Sequence, residues 1–157
     1  MRSPPISKTK LESKLAIIRE ALLELAKLAA LSKTQFIADK RNFAIAEHYL
    51  RRALEAIFDT ASHVISRYPY APGKRPATFK ELAIALGDRK IIEKNFAKDT
   101  LVKMAGYRNR MVHFYSEVTP DEVYELITTK RTDIEQFGQS IVTLIKNPKK
   151  FNLELND

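Results

Sequence analysis

From Leu11 onward the apolar residues fall at Leu15, Ile18, Leu22 and Leu25, in alternating steps of four and three. That spacing is one face of an amphipathic helix, predicted to run to about Leu31. Ser32 followed by Gln35 has the spacing of a capping box and opens a short helical turn before Asp39. From Lys40 to Arg67 a longer helix sets Phe43, Ala46, Leu50, Ala53, Ile57, Ala61 and Val64 on one face. Ile45, Tyr49, Leu54, Phe58 and Ile65 widen that face so far that the helix is expected at the centre of the fold. Its polar stripe is His48, Arg52, Glu55, Asp59 and His63, within which Arg51 or Arg52 is expected to pair with Glu55 at helical spacing.

The stretch from 68 to 76 holds three prolines and a glycine and breaks this helix. Thr78 with Glu81 is a second capping box, opening a short helix that Gly87 ends. A fourth long segment, starting at Asp88 or Asp99, turns Leu101, Met104, Met111 and Val112 inward. Thr119, Pro120 and Glu122 then open the last helix, so the fourth must end by about Val118. The last helix buries Val123, Ile127, Ile134, Phe137, Ile141 and Leu144 and stops near Asn147. No segment alternates as a strand does. The expectation is an all-α, up-down bundle of four long helices plus a short one. It forms a single domain over 11–147, flanked by basic tails at 1–10 and 148–157.

Composition narrows the function classes. The 157 residues are 45% hydrophobic and 29% charged, a profile of one helix-rich globular domain. A net charge of +8 favours an anionic partner: nucleic acid, phosphate or an acidic protein surface. The chain has no cysteine, which excludes disulfides, thiol nucleophiles and cysteine-based zinc sites and fits a reducing cytosol. Neither a signal peptide nor a membrane-length apolar run is present, so a cytoplasmic protein is expected. Glycine-rich phosphate loops are missing, and with them any support for nucleotide chemistry. The histidines, His48, His63 and His113, lack the spacings of zinc or di-iron sites, so no metal or cofactor is expected.

One constellation bears chemistry. In YRNRMVHFY, residues 107 to 115, Arg108 and Tyr115 lie about 20° apart on an ideal helix. They share the face of Leu101 and Met104, so Arg108 is a charge set in an apolar stripe and needs an acid, an anion or a second subunit. His113 follows Asn109 by one turn, and the Asn109 side-chain oxygen is placed to accept the imidazole N–H. The plainer reading of the same residues is a basic helix end facing free carbonyls and the negative end of the helix dipole.

Arg, Asn, three residues and His, with tyrosine two further on, resemble the signature of the HEPN superfamily. More narrowly, the chain is similar to the HepT-like toxins encoded beside minimal nucleotidyltransferase (MNT) antitoxins. The resemblance extends to FIADKRNFAIAEHYLRRALEAIFDTASHVI, the proline-rich loop, MAGYRNRMVHFY and TPDEVYELI in that order, roughly residues 10 to 145. It implies a two-fold homodimer and a metal-independent endoribonuclease, the toxin of a type VII-like toxin–antitoxin system. Arg108, Asn109, His113 and Tyr115 would be its catalytic residues, and Tyr115 the site at which the antitoxin adds AMP. The implied substrate is tRNA or mRNA.

The chemistry is coherent with that implication. Cleavage through a ribose 2′-OH needs a base, an acid and a cation for the charge on phosphate. Imidazole serves as base or acid, and guanidinium holds phosphate bidentately. Arg67, Lys74, Arg75 and Lys80, interleaved with Tyr68 and Tyr70, are candidates for guiding RNA toward the cleft. The alternative is a non-catalytic HEPN module that binds nucleic acid or protein through its basic surface.

Overall fold

A computed structural model describes residues 4–113 and 118–157. Helix α1 spans Lys8–Ala29, α2 Lys33–Ala38 and α3 Lys40–Ile65. Helix α4 spans Phe79–Asp88, and a π-helical turn, Phe96–Leu101, leads into α5, Val102–Val112. Helices α6, Pro120–Thr129, and α7, Arg131–Lys146, complete the bundle. The long α3 is central: it packs on α1, α4, α5 and α6, while α1 also lies against α7. Its inward positions Ala46, Leu50, Ala53, Ile57, Ala61 and Val64 are all buried, so the all-α bundle follows the apolar stripes.

Local chemistry sets most boundaries. Ser32/Gln35 and Thr78/Glu81 both form reciprocal capping boxes. The box expected at α6 is only half made. Thr119 accepts from the Glu122 N–H, but the Glu122 carboxylate is taken bidentately by Arg110 at 2.8 and 3.2 Å. A charge-assisted pair outcompetes a neutral backbone N–H for the same oxygens. The segment before α5 starts neither at Asp88 nor at Asp99. Glu93 accepts the N–H groups of Asn95 at 3.1 Å and Phe96 at 3.2 Å, which nucleates the turn there. Gly87 does not end α4 but sits inside it, where a Cβ would come within 2.7 Å of the Ala97 Cβ. Glycine lets α4 and the π turn close on each other. The expected single last helix is two, broken at Lys130, where the Arg131 guanidinium caps α6 by donating to the Ile127 carbonyl at 2.7 Å.

The segments expected as basic tails are tied together. Ile6–Ser7 (β1) pairs in parallel with Leu155–Asn156 (β2), and Ile6, Phe151 and Leu153 are buried. Asp157 accepts from the Lys8 and Thr9 N–H groups and from the Thr9 hydroxyl, placing a carboxylate at the positive end of α1. The Ser7 N–H donates to Nε2 of buried His63 at 3.1 Å, which requires that nitrogen to be unprotonated.

Burial, with Arg67 and Lys10 nearby, lowers the His63 pKa from 6.5 to about 4. The unfolded chain therefore binds the extra proton between those values, and stability rises with pH across that window. It is fully present above pH 6.5 and is lost as pH falls toward 4. Thermal unfolding should show a loss of about 2 kcal/mol from this group between pH 7 and pH 5. A His63→Gln variant should flatten that slope; an unchanged slope would count against the His63 origin.

Candidate active site at the end of helix α5

Leu101, Met104, Ala105 and Met111 are buried along the π turn and α5, fixing the rotation of the helix. That rotation carries Arg108 to the flank facing α3 and α4. Its side chain is 19% exposed and pairs with Glu55 of α3 at 3.6 Å, longer than a hydrogen bond. The guanidinium carbon lies 4.5 Å from the centre of the Phe79 ring at the start of α4. Nη1 donates to the Asn109 side-chain oxygen at 3.4 Å. The need for an acid is thus met inside one chain, by Glu55. One flat face of the fork rests on an aromatic ring, while its other N–H donors make no hydrogen bond among the described residues. Such a fork is pre-oriented for an anion.

Helix α5 ends at Val112. His113 is its C-cap, with φ −103° and ψ 120°, exposed, and its N–H donates to the Asn109 carbonyl at 3.0 Å. The Asn109 side-chain oxygen, expected to hold the imidazole, instead accepts from Arg108. Asn109 therefore joins the two candidate residues, one through its side chain and one through its backbone. The helical wheel that placed Tyr115 beside Arg108 does not extend past Val112, and Tyr115 lies outside the described residues. Arg110, in the last turn of α5, locks that turn to the first turn of α6 through Glu122. That pairing holds the Glu122 carboxyl below the usual carboxylate range.

The loop cations divide into two kinds. Arg67 donates to the Pro5 carbonyl at 3.0 Å and to the Ser66 hydroxyl at 2.8 Å. Arg75 donates to the Ile65 and Tyr68 carbonyls and stacks over Tyr70 at 5.2 Å. Both arginines therefore fasten the C-terminal end of α3, where carbonyls are free. The ring of Tyr68 lies under Arg89 and its hydroxyl donates to the Phe151 carbonyl at 2.6 Å; burial raises that phenol to about 12. Lys74 and Lys80 are exposed and form no ion pair among the described residues.

Two neighbours of the candidate site escape the sequence. Glu55 was legible as part of a polar stripe, but its expected partners were Arg51 or Arg52, on its own helix. Phe79 carried no signal beyond its place after a capping threonine. No cluster of three or more histidine, aspartate or glutamate side chains suited to a metal ion occurs among the described residues. No helix among them is long and apolar enough to cross a membrane.

Known proteins resemble this chain in sequence or in fold. A tRNA nuclease HepT of Aphanizomenon flos-aquae (strain 2012/KM1/D3) is 29% identical over 118 residues, 75% of this chain and 78% of that one. A tri-AMPylated Shewanella oneidensis HEPN toxin, solved in complex with an MNT antitoxin, is 25% identical with a TM-score of 0.70. The match covers 85% of this chain and 97% of the toxin. YutE of Bacillus subtilis, a cytosolic protein of unknown function, shares the fold at 21% identity and a TM-score of 0.72, over 91% of this chain and 93% of its own. Residues 18–141, from the middle of α1 to the third turn of α7, match the family described as Ribonuclease HepT-like, and the chain belongs to that family.

Proposed function

We propose that this protein is the toxin of a toxin–antitoxin pair, an endoribonuclease that cleaves tRNA without a metal ion. The observation that carries the reading is the placement of Arg108. A largely buried guanidinium, oriented by Glu55 and Phe79, stands on the last turns of the helix that His113 terminates. In this reading an imidazole takes the proton of a ribose 2′-OH. The 2′-oxygen attacks phosphorus, the bond to the 5′-oxygen breaks, and a second acid protonates that leaving oxygen. The products are a 2′,3′-cyclic phosphate and a free 5′-hydroxyl. Arg108 stabilises the charge that builds on the non-bridging oxygens, and Asn109 holds the fork toward them.

Base and acid act on opposite sides of the phosphorus, and each chain offers one such histidine. A two-fold homodimer supplies the second. The name of the Aphanizomenon flos-aquae relative, a tRNA nuclease, makes tRNA the first substrate to try. Purified protein incubated with tRNA in EDTA should yield fragments ending in cyclic phosphate. Cleavage that requires added magnesium would sink the metal-free mechanism, and no cleavage under any condition would favour the binding module.

Silencing follows from the same electrostatics. A neighbouring nucleotidyltransferase would transfer AMP from ATP to the Tyr115 hydroxyl with release of pyrophosphate, adding phosphodiester charge to the motif that carries Arg108, in competition with RNA phosphate. Co-expression with that enzyme should add one or more AMP units by intact mass, and Tyr115→Phe should abolish the adduct. Unmodified wild type, with ATP supplied, would overturn this step.

A further inference from the structure

The groove between α1 and α3 is lined by Lys14, His48, Arg51, Arg52, Glu55 and Asp59, and the cleavage chemistry uses only one of them. Its two carboxylates are committed. Asp59 pairs with Lys14 at 3.0 Å across the groove, and Glu55 pairs with Arg108 at 3.6 Å. Arg51 and Arg52 are exposed and make no ion pair or side-chain hydrogen bond among the described residues. They precede Glu55 by four and three positions, so on α3 they sit roughly one turn away, about 6.0 and about 4.5 Å along the axis. One stands about 40° to one side of the Glu55 direction and the other about 60° to the opposite side. The pair therefore straddles a line along α3 that begins at Glu55, the partner of the Arg108 guanidinium, and runs toward the N-terminal end of the helix.

We propose that this groove binds the RNA strand next to the scissile phosphate, with Arg51 and Arg52 holding successive backbone phosphates. The inference rests on RNA cleavage at Arg108 and adds where the flanking nucleotides lie. Two forks with free N–H donors suit phosphate oxygens. A protein partner's acidic patch is the competing occupant. Glu55 both lines the groove and pairs with Arg108 at 3.6 Å, so a polyanion lying along the groove ends beside the proposed phosphate position.

The test compares wild type with Arg51→Gln/Arg52→Gln. Lys146→Gln/Lys149→Gln serves as a control that removes the same charge elsewhere. Each acts on a single-stranded RNA dodecamer and on a dinucleoside monophosphate, which has no flanking phosphates. The expected result is a KM for the dodecamer raised about tenfold. Its logarithmic salt dependence should become shallower by about 1.4, and the dinucleoside should suffer far less. Equal losses on both substrates, or a dodecamer KM within twofold of wild type, would overturn the groove. So would an unchanged KM together with weakened binding of the nucleotidyltransferase, which would assign the arginines to protein. Fluorescence anisotropy on the same dodecamer reads the groove without catalysis. A wild type that cleaves nothing refutes the reaction, whereas equal Kd values for wild type and double variant refute the groove.

Discussion

Replacing His113 by alanine should slow RNA cleavage by about 10²- to 10⁴-fold, the usual worth of a positioned acid or base. The fold should not change with it. His113 is exposed and lies just past α5, so truncation opens no cavity, and the backbone N–H that bonds the Asn109 carbonyl remains. Single-turnover cleavage beside thermal unfolding separates the two effects. A variant retaining a tenth or more of wild-type rate would remove His113 from the chemistry. The same variant reports on the dimer. If the acid and the base come from two copies, subunit exchange between wild type and His113→Ala yields inactive mixed dimers, and activity falls as the square of the wild-type fraction. If each copy acts alone, it falls linearly.

What the sequence made legible was local or periodic. Ser32 with Gln35 and Thr78 with Glu81 announce helix starts because each box closes within three residues. The core stripe of α3 follows from the helical period alone. Periodicity also conceals. Ile127 and Ile134 are seven apart, two full turns, so the inward phase passes through the break at Lys130 unaltered, and nothing in the pattern separates α6 from α7. The site shows the same division. Arg108, Asn109 and His113 are readable as one short motif, and the demand of a charge in an apolar stripe for an acid is readable too. Which acid is a tertiary fact. Arg51 and Arg52 were nearer to Glu55 along the chain, yet α5 brings Arg108 to it. Glu122 went the same way, from a local cap to a partner on another helix.

Arg108→Ala should lower kcat/KM by about 10²- to 10³-fold, the range found when one donor to a developing oxyanion is removed. Arg108→Lys should recover little of it. An ammonium keeps the charge but loses the planar fork that lies on Phe79 and offers paired donors to phosphate. The ion pair itself contributes little to stability. At 3.6 Å, with the Glu55 side chain 41% exposed, it is worth about 1 kcal/mol or less. If its value is orientation, a double-mutant cycle exposes that. Glu55→Gln should lower kcat in the wild-type background by up to about tenfold, since the fork loses its tether. Once Arg108 is alanine, the same change should cost nothing further, because there is no fork left to orient. Additive losses would mean that Glu55 acts on the reaction by a route of its own. A rate raised by Glu55→Gln would mean that the carboxylate competes with phosphate for the guanidinium rather than aiming it. Each outcome moves kcat while Tm stays near its starting value, so the cycle separates an arginine held for phosphate from one held for packing.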